Sequence, residues 1–448
     1  MAVKVGMVSL GCSKNQVDAE RLLALIVNDG FELCVNPEDC DVVIINTCGF
    51  IEDAKRESIE SILEFCELKK AGKVKVIVVT GCLAERYKDE LALEIPEADV
   101  VLGIGKNFDI ANAVRRALNG EKVREYAEKT DLSLGGDRVL TTPNYSVYLK
   151  IAEGCDNKCS YCAIPLIRGC FRSRPMEDVI SEAKELAAQG AKELNLIAQD
   201  TTRYGQDLYG EFKLAELLRE LCKIDGLHWI RVLYGYPDRV TDELLEVMAS
   251  EPKIVKYIDL PLQHCNGRIL KAMNRSGDFN SMLALMKRIR EKVPGIALRT
   301  TFIAGFPGET EEEFTELCEF VKEVRFERMG CFAYSVEEDT PAGEMDCQLD
   351  EEVKRRRAEV VMEQQMNIAF ELGSSFVGKT IEVLVEDYDF DNFMYVGRSA
   401  LDAPDIDTKT CFTAARELKA GDFVQVEIID SDGYDLIGRE VEILEPAE

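Results

Sequence analysis

Six cysteines in this chain have spacings that suit redox-metal chemistry. Cys155, Cys159 and Cys162 lie in EGCDNKCSYCAIP, four and three positions apart in an Asn- and Ser-containing loop. Three thiolates are one ligand short of a closed structural zinc site, which often pairs two C-x2-C knuckles. No second knuckle is visible, and a thiolate-rich site with one open position suits an iron–sulfur cluster with an exchangeable iron. Cys12, Cys48 and Cys82 form the other set: they end the apolar runs VGMVSLGC, VVIINTC and VIVVTGC. Each stands where a parallel strand would stop, and parallel strands gather their carboxyl ends on one edge. One such residue reads as an ordinary buried thiol. Three in equivalent strand-to-helix loops read as a second three-thiolate site.

The elements that must position these residues follow from the hydrophobic pattern. Residues 1–120 alternate KVGMVSL, DVVIINT, VKVIVVT and DVVLGIG with helical stretches, the mark of βαβ units and a parallel sheet. Residues 121–142, charged and then Gly-rich before Pro143, read as a linker. From 143 to 370 six candidate strands (VYLKIAEG, KELNLIAQD, HWIRVLY, KYIDLPL, ALRTTFIAG and RMGCFAYS) fit an open, partial (β/α) barrel. Chemistry in such folds sits beyond the carboxyl ends of the strands, where Cys155 follows VYLKIAEG. The segment 375–448 has short β-type runs punctuated by Gly and Asp, a small all-β barrel. The fold class is therefore α/β with an all-β C-terminal domain.

Composition narrows the function classes. At 448 residues and 46% hydrophobic, the chain has material for several cores. MAVKVGMVSLGC lacks the pattern of a signal peptide, and no apolar run approaches a membrane span, so a soluble cytoplasmic protein is expected, with no membrane partner. Sixteen cysteines in a reducing compartment point to metal or redox chemistry rather than disulfides. A net charge of −29 disfavours nucleic acid and favours a basic protein partner.

The C-x3-C-x2-C loop, with Tyr161 before its last cysteine, resembles the radical S-adenosylmethionine superfamily. There three cysteines hold a [4Fe-4S] cluster, and S-adenosylmethionine chelates the fourth iron and is cleaved to a 5′-deoxyadenosyl radical. Two three-cysteine sets and a C-terminal TRAM barrel resemble the methylthiotransferases of that superfamily. GCSKNQVDAE, INTCGFIEDAKRES, YIDLPLQHCNGRILKAMNR, FIAGFPGET and GRSALDAPDID resemble the branch that modifies the β-carbon of an aspartate in small-subunit ribosomal protein S twelve. The resemblance implies two [4Fe-4S] clusters, on Cys12, Cys48 and Cys82 and on Cys155, Cys159 and Cys162, and two S-adenosylmethionine per turnover. One molecule methylates sulfur held at the N-terminal cluster; the other generates the radical that opens the target carbon. It also implies an electron donor such as flavodoxin or ferredoxin, a sulfur donor, and the ribosomal protein or the assembled ribosomal subunit as substrate. The alternative is the branch that modifies tRNA adenosine. From Phe376 to Glu448 there are 18 Asp and Glu against six Lys and Arg, a net of −12 that suits a basic protein better than phosphates.

Residues assigned to S-adenosylmethionine are Tyr161, Gln199, Asp200 and Thr201 after the second barrel strand, Gln263 after YIDLPL, and Arg299 within ALRTTF. Thr310 to Glu313 in GFPGET reads as a capping box rather than a phosphate loop. KRRR at 354–357 reads as a solvated helix face or an interdomain contact. His228, His264 and the other ten cysteines are assigned to packing or surface, with Cys170 and Cys265 nearest the proposed site.

Overall fold

The computed structural model describes residues 2–441. Six parallel strands open the chain: β1 (Lys4–Ser9), β2 (Glu32–Leu33), β3 (Val42–Thr47), β4 (Val76–Gly81), β5 (Val100–Leu102) and β6 (Val123–Glu125). They run in the order β2-β1-β3-β4-β5-β6. β3 and β4 are buried along their whole length, and their unbroken Val/Ile pattern is what strands covered on both faces require. Helices α1 (Ser13–Asn28), α2 (Glu52–Lys70), α3 (Cys82–Glu94) and α4 (Ile110–Leu118) connect them. β6 falls inside the stretch that the sequence reads as linker, so the sheet extends past residue 120. Three residues are too few to show a period. The linker's Arg138 is also anchored, to Glu20 of α1 at 3.0 Å and to Glu182 at 2.8 Å.

The second unit carries six parallel strands. β7 (Ser146–Lys150) leads into β8 (Ala152–Glu153) and β9 (Arg172–Ser173), which pair antiparallel and bracket the cysteine loop. Then come β10 (Glu193–Ile197), β11 (Trp229–Val232), β12 (Tyr257–Asp259), β13 (Ala297–Ala304) and β14 (Arg328–Ala333). Two runs, β7-β10-β11 and β12-β13-β14, meet at a bridge between Ile230 and Ile254. This is the expected partial barrel. Thr310 and Glu313 form the expected capping box on helix Glu311–Val324. The KRRR run is divided: Arg355 and Arg356 face solvent, whereas Lys354 and Arg357 are buried and Arg357 grips Glu309 at 2.7 Å. Among the described residues no helix is long and apolar enough to cross a membrane.

The closing barrel consists of β15 (Thr380–Asp389), β16 (Met394–Ser399), β17 (Thr410–Thr413), β18 (Phe423–Asp432) and β19 (Asp435–Glu440), closed in the order β15-β16-β17-β19-β18. The end of the expected domain, 442–448, lies outside the described residues. GRSALDAPDID, which runs from the last residues of β16 into the loop before β17, plugs the amino ends of the larger barrel's strands. Arg328 reaches Asp402 at 2.8 Å, Tyr257 reaches Asp407 at 2.6 Å and Tyr148 reaches Asp405 at 3.0 Å.

Arg398 completes this plug on Glu193, the buried first residue of β10, which also takes Arg231 at 3.2 Å and Ser146 at 2.7 Å. Burial pushes the Glu193 carboxyl up, but Arg398 and Arg231 outweigh it and hold it at about 2. A depressed carboxylate stabilises the fold above its unfolded value, near 4.5, and loses that contribution as pH falls towards 2. The full loss is about 3 kcal/mol. Urea midpoints between pH 7 and 2.5 are expected to fall less steeply with acid in Glu193→Gln than in the natural chain. Identical slopes would remove Glu193 from the acid response.

Candidate active site

The three N-terminal cysteines stand at the carboxyl ends of three neighbouring strands. Cys12 caps α1 just beyond β1, Cys48 follows β3, and Cys82 opens α3 directly after β4. Glycines let their loops touch. A Cβ on Gly11 would lie 2.8 Å from Cys48 Sγ, and one on Gly49 would lie 3.0 Å from the carbonyl carbon of Cys82. Ser58 fixes the middle loop by donating to the Cys48 carbonyl and accepting from its N–H, both at 2.9 Å. Burial pushes the Cys48 thiol up to about 12, helped by the charge of Cys82. Cys82 is raised by burial too. Cys12 is held below the ordinary thiol range. Desolvation in the cleft raises it, but Lys14, the Asn15 amide and Arg168 more than offset that.

The barrel set is held as tightly. Gly154 has φ +78°, and a Cβ there would fall 2.0 Å from the Cys170 carbonyl oxygen, so only glycine lets the chain turn into the loop. Cys155 N–H donates to Gly169 and Cys162 N–H to Cys159, both at 3.1 Å. Ser160 is pinned to Ala272 and Met273, and Asn157 to Asp200 and Arg239. Burial pushes the Cys155 thiol up to about 11, with the charges of Asp200 and Cys159 adding to it.

The two sets lie across one interface. Cys82 packs against Ala163 and Ile167, and Ala163 directly follows Cys162. Arg168, which ends helix α5 (Ile164–Arg168) of the barrel unit, is 2% exposed. Its guanidinium donates to Cys82 Sγ at 3.2 Å, Asn15 at 3.1 Å, Asp18 at 2.5 Å and Glu153 at 3.3 Å. Lys150 joins Asp18 and Glu153 from β7. On the barrel side Arg275 lies 3.6 Å from Cys159 Sγ. Each thiol set is thus faced by one arginine. The sequence reading missed both arginines, as well as Asp18 and Lys14, because their roles depend on which loops meet in space.

This donor chemistry suits an iron–sulfur cluster. Among the described residues no three His, Cys, Asp or Glu side chains close on one point as a mononuclear ion requires. A cubane cluster binds its thiolates to separate irons and so accepts more widely spaced sulfurs.

The residues assigned to S-adenosylmethionine are dispersed around the strand ends. Gln199 donates to Glu153 at 2.5 Å, while its buried carbonyl oxygen has no partner among the described residues and is free to accept from a ligand. Gln263 has φ +71°, a strained conformation for a side chain at a strand end. Tyr161 packs beside Ile269, Met273 and Phe306. Asp200 is taken up by Asn157 at 3.0 Å and Arg239 at 2.6 Å, and Thr201 by the Leu233 carbonyl at 2.8 Å. Arg299, near the amino end of β13, is instead engaged by Asp259 at 2.9 Å and by Asp407 of the amino-end plug at 3.4 Å.

Comparison with known proteins agrees with this geometry. Residues 4–103 match the Uncharacterized protein family UPF0004, 149–321 the Radical SAM superfamily and 377–441 the TRAM domain. The ribosomal protein uS12 methylthiotransferase RimO of Thermoanaerobacter sp. (strain X514) is 51% identical over 97% of this chain and 99% of its own length. The same-named proteins of Desulforamulus reducens and Clostridioides difficile are 50% and 48% identical over 97% of this chain, and over 99% and 98% of their own lengths. The chain belongs to the RimO family. It is a radical S-adenosylmethionine methylthiotransferase, and the superfamily chemistry uses S-adenosylmethionine and a [4Fe-4S] cluster. Among solved structures, the radical S-adenosylmethionine methyltransferase TsrM of Kitasatospora setae, with tryptophan and a S-adenosylmethionine analogue bound, shares the fold. Its TM-score is 0.58 at 16% identity, covering 76% of this chain and 75% of that one.

Proposed function

We propose that this chain adds a methylthio group to the β-carbon of an aspartate in ribosomal protein uS12, the substrate that the names of its RimO relatives carry. In this reading Cys12, Cys48 and Cys82 hold one [4Fe-4S] cluster, and Cys155, Cys159 and Cys162 hold a second. When bound, the clusters and two S-adenosylmethionine per turnover supply hydrogen abstraction and sulfur transfer. The chain's own groups do the rest. Tyr161, Gln199, Asp200, Thr201 and Gln263 surround the cosubstrate, and the docked N-terminal sheet excludes water from the cleft.

The observation that supports the reading is the packing of Cys82 on Ala163, the residue after Cys162, which sets a cysteine of one set beside the loop that carries the other. Abstraction and sulfur transfer must occur at one carbon before a radical escapes, so the two sets have to share a site. The net −12 of the closing barrel supports a basic protein over tRNA. An electron donor of the flavodoxin or ferredoxin class and a sulfur donor complete the cycle in the cytoplasm. The test reconstitutes the enzyme anaerobically and offers uS12 and bulk tRNA in parallel, with mass spectrometry reading the methylthio increment. An increment on the uS12 aspartate is the expected result; one on tRNA alone overturns the assignment.

A further inference from the structure

The first turn of α1 carries a cation with no carboxylate partner among the described residues. Lys14 is 8% exposed, and its ammonium lies 3.2 Å from the centroid of the Tyr234 ring, just beyond β11 at the barrel mouth. Tyr234 holds φ +59°, a conformation side chains rarely adopt. It is fixed there by donating its N–H to Asp259 at 3.0 Å, while its carbonyl accepts from Thr201 at 3.0 Å. Among the described residues no carboxylate pairs with Lys14. Asp259, whose charge reaches it, is already committed to the Tyr234 N–H and to Arg299.

A desolvated ammonium without an anion is an expensive group to keep. One further group on the same turn lacks a partner among the described residues. Ser13 Oγ is buried without a hydrogen bond, and α1 starts with no acidic residue in its first turn and no side-chain cap. The first-turn N–H groups, of which those of Lys14 and Asn15 face Cys12, form the positive end of a 16-residue helix. Cation, hydroxyl and helix terminus together describe a receptor for one anionic group. It lies two residues from Cys12 and against the barrel mouth, where Tyr234 meets it.

The geometry points to Lys14 as the residue that recognises the carboxylate of the target aspartate, an inference that rests on the proposed function. The carbon to be modified is bonded directly to that carboxylate. A cation that fixes the carboxylate therefore also fixes the reacting carbon, and selects aspartate over its uncharged amide. A bland role exists too, in which Lys14 only offsets the negative thiolates around Cys12. The two roles differ in what they predict for the substrate.

The experiment measures the Kd of the reconstituted enzyme, without reductant so that no turnover occurs, for uS12 and for uS12 carrying asparagine at the target position. The natural enzyme is expected to prefer aspartate by about 30-fold, the scale of removing one partner of a buried charge pair. Lys14→Gln is expected to bring that ratio close to one, and Lys14→Arg to restore most of it. Iron content shows that each variant is loaded. The ratio is read within each variant, so a weakened but folded protein still decides the question. An unchanged ratio in Lys14→Gln overturns the inference and leaves Lys14 a countercharge. If the natural enzyme never methylthiolates uS12, the proposed function fails and takes the inference with it.

Discussion

Cys48→Ala is expected to yield an enzyme that still cleaves S-adenosylmethionine under reductant but transfers no methylthio group to uS12. Cys48 occupies the middle of its set, between Cys12 beyond β1 and Cys82 after β4 on the neighbouring strands. Losing it leaves two thiolates at opposite sides of an open edge, too few to retain a cubane. The barrel set, with its own glycine turn and its own anchors on Ala272, Met273 and Asp200, is untouched. Iron in the reconstituted protein should drop from about eight to about four atoms per chain. Cys159→Ala should give the same iron count but abolish cleavage and transfer together. Alanine is small and apolar, so neither change disturbs the buried surroundings enough to unfold the chain. Full iron and normal transfer in Cys48→Ala would break the assignment of the N-terminal set.

How much of this was legible in the sequence differs from one residue to the next. Cys12, Cys48 and Cys82 could be grouped because each ends a Val/Ile run, and parallel strands place such ends together. The order β1-β3-β4, which makes the three neighbours, is a tertiary fact that no local pattern carries. β2 and β6 were invisible for a different reason: two or three residues are ordered by the strand beside them, not by their own periodicity. GRSALDAPDID read only as a family signature, yet its acids close the amino end of the barrel on Arg328, Tyr257 and Tyr148. Arg299 shows the opposite error. A polar residue inside a barrel strand suggests a ligand contact, and here two carboxylates already hold it. Arg168 and Lys14 could not be singled out at all, because what sets them apart is the group each faces across the interface.

Arg168→Met is expected to cost about 3–5 kcal/mol of stability, the range for breaking a buried ion pair from one side. The guanidinium lies between Asp18 of the N-terminal unit and Glu153 of the barrel, and among the described residues Lys150 is the only other cation in their salt bridges. Without Arg168, two buried carboxylates share a single ammonium, and the surplus negative charge lies on the surface where the two units meet. A lower urea midpoint and faster proteolysis of 121–142 would report the loosened docking. Arg168→Lys should recover only part of the loss, since an ammonium cannot reproduce the fork that reaches Asp18, Asn15 and Cys82 together. The decisive variant adds Asp18→Asn to Arg168→Met. Removing the surplus carboxylate should make the pair of changes less damaging than the sum of the two alone. Strict additivity would instead place the cost in the lost contacts to Asn15 and Cys82, and would make Arg168 a support of the N-terminal thiol set rather than the electrostatic clasp between the units.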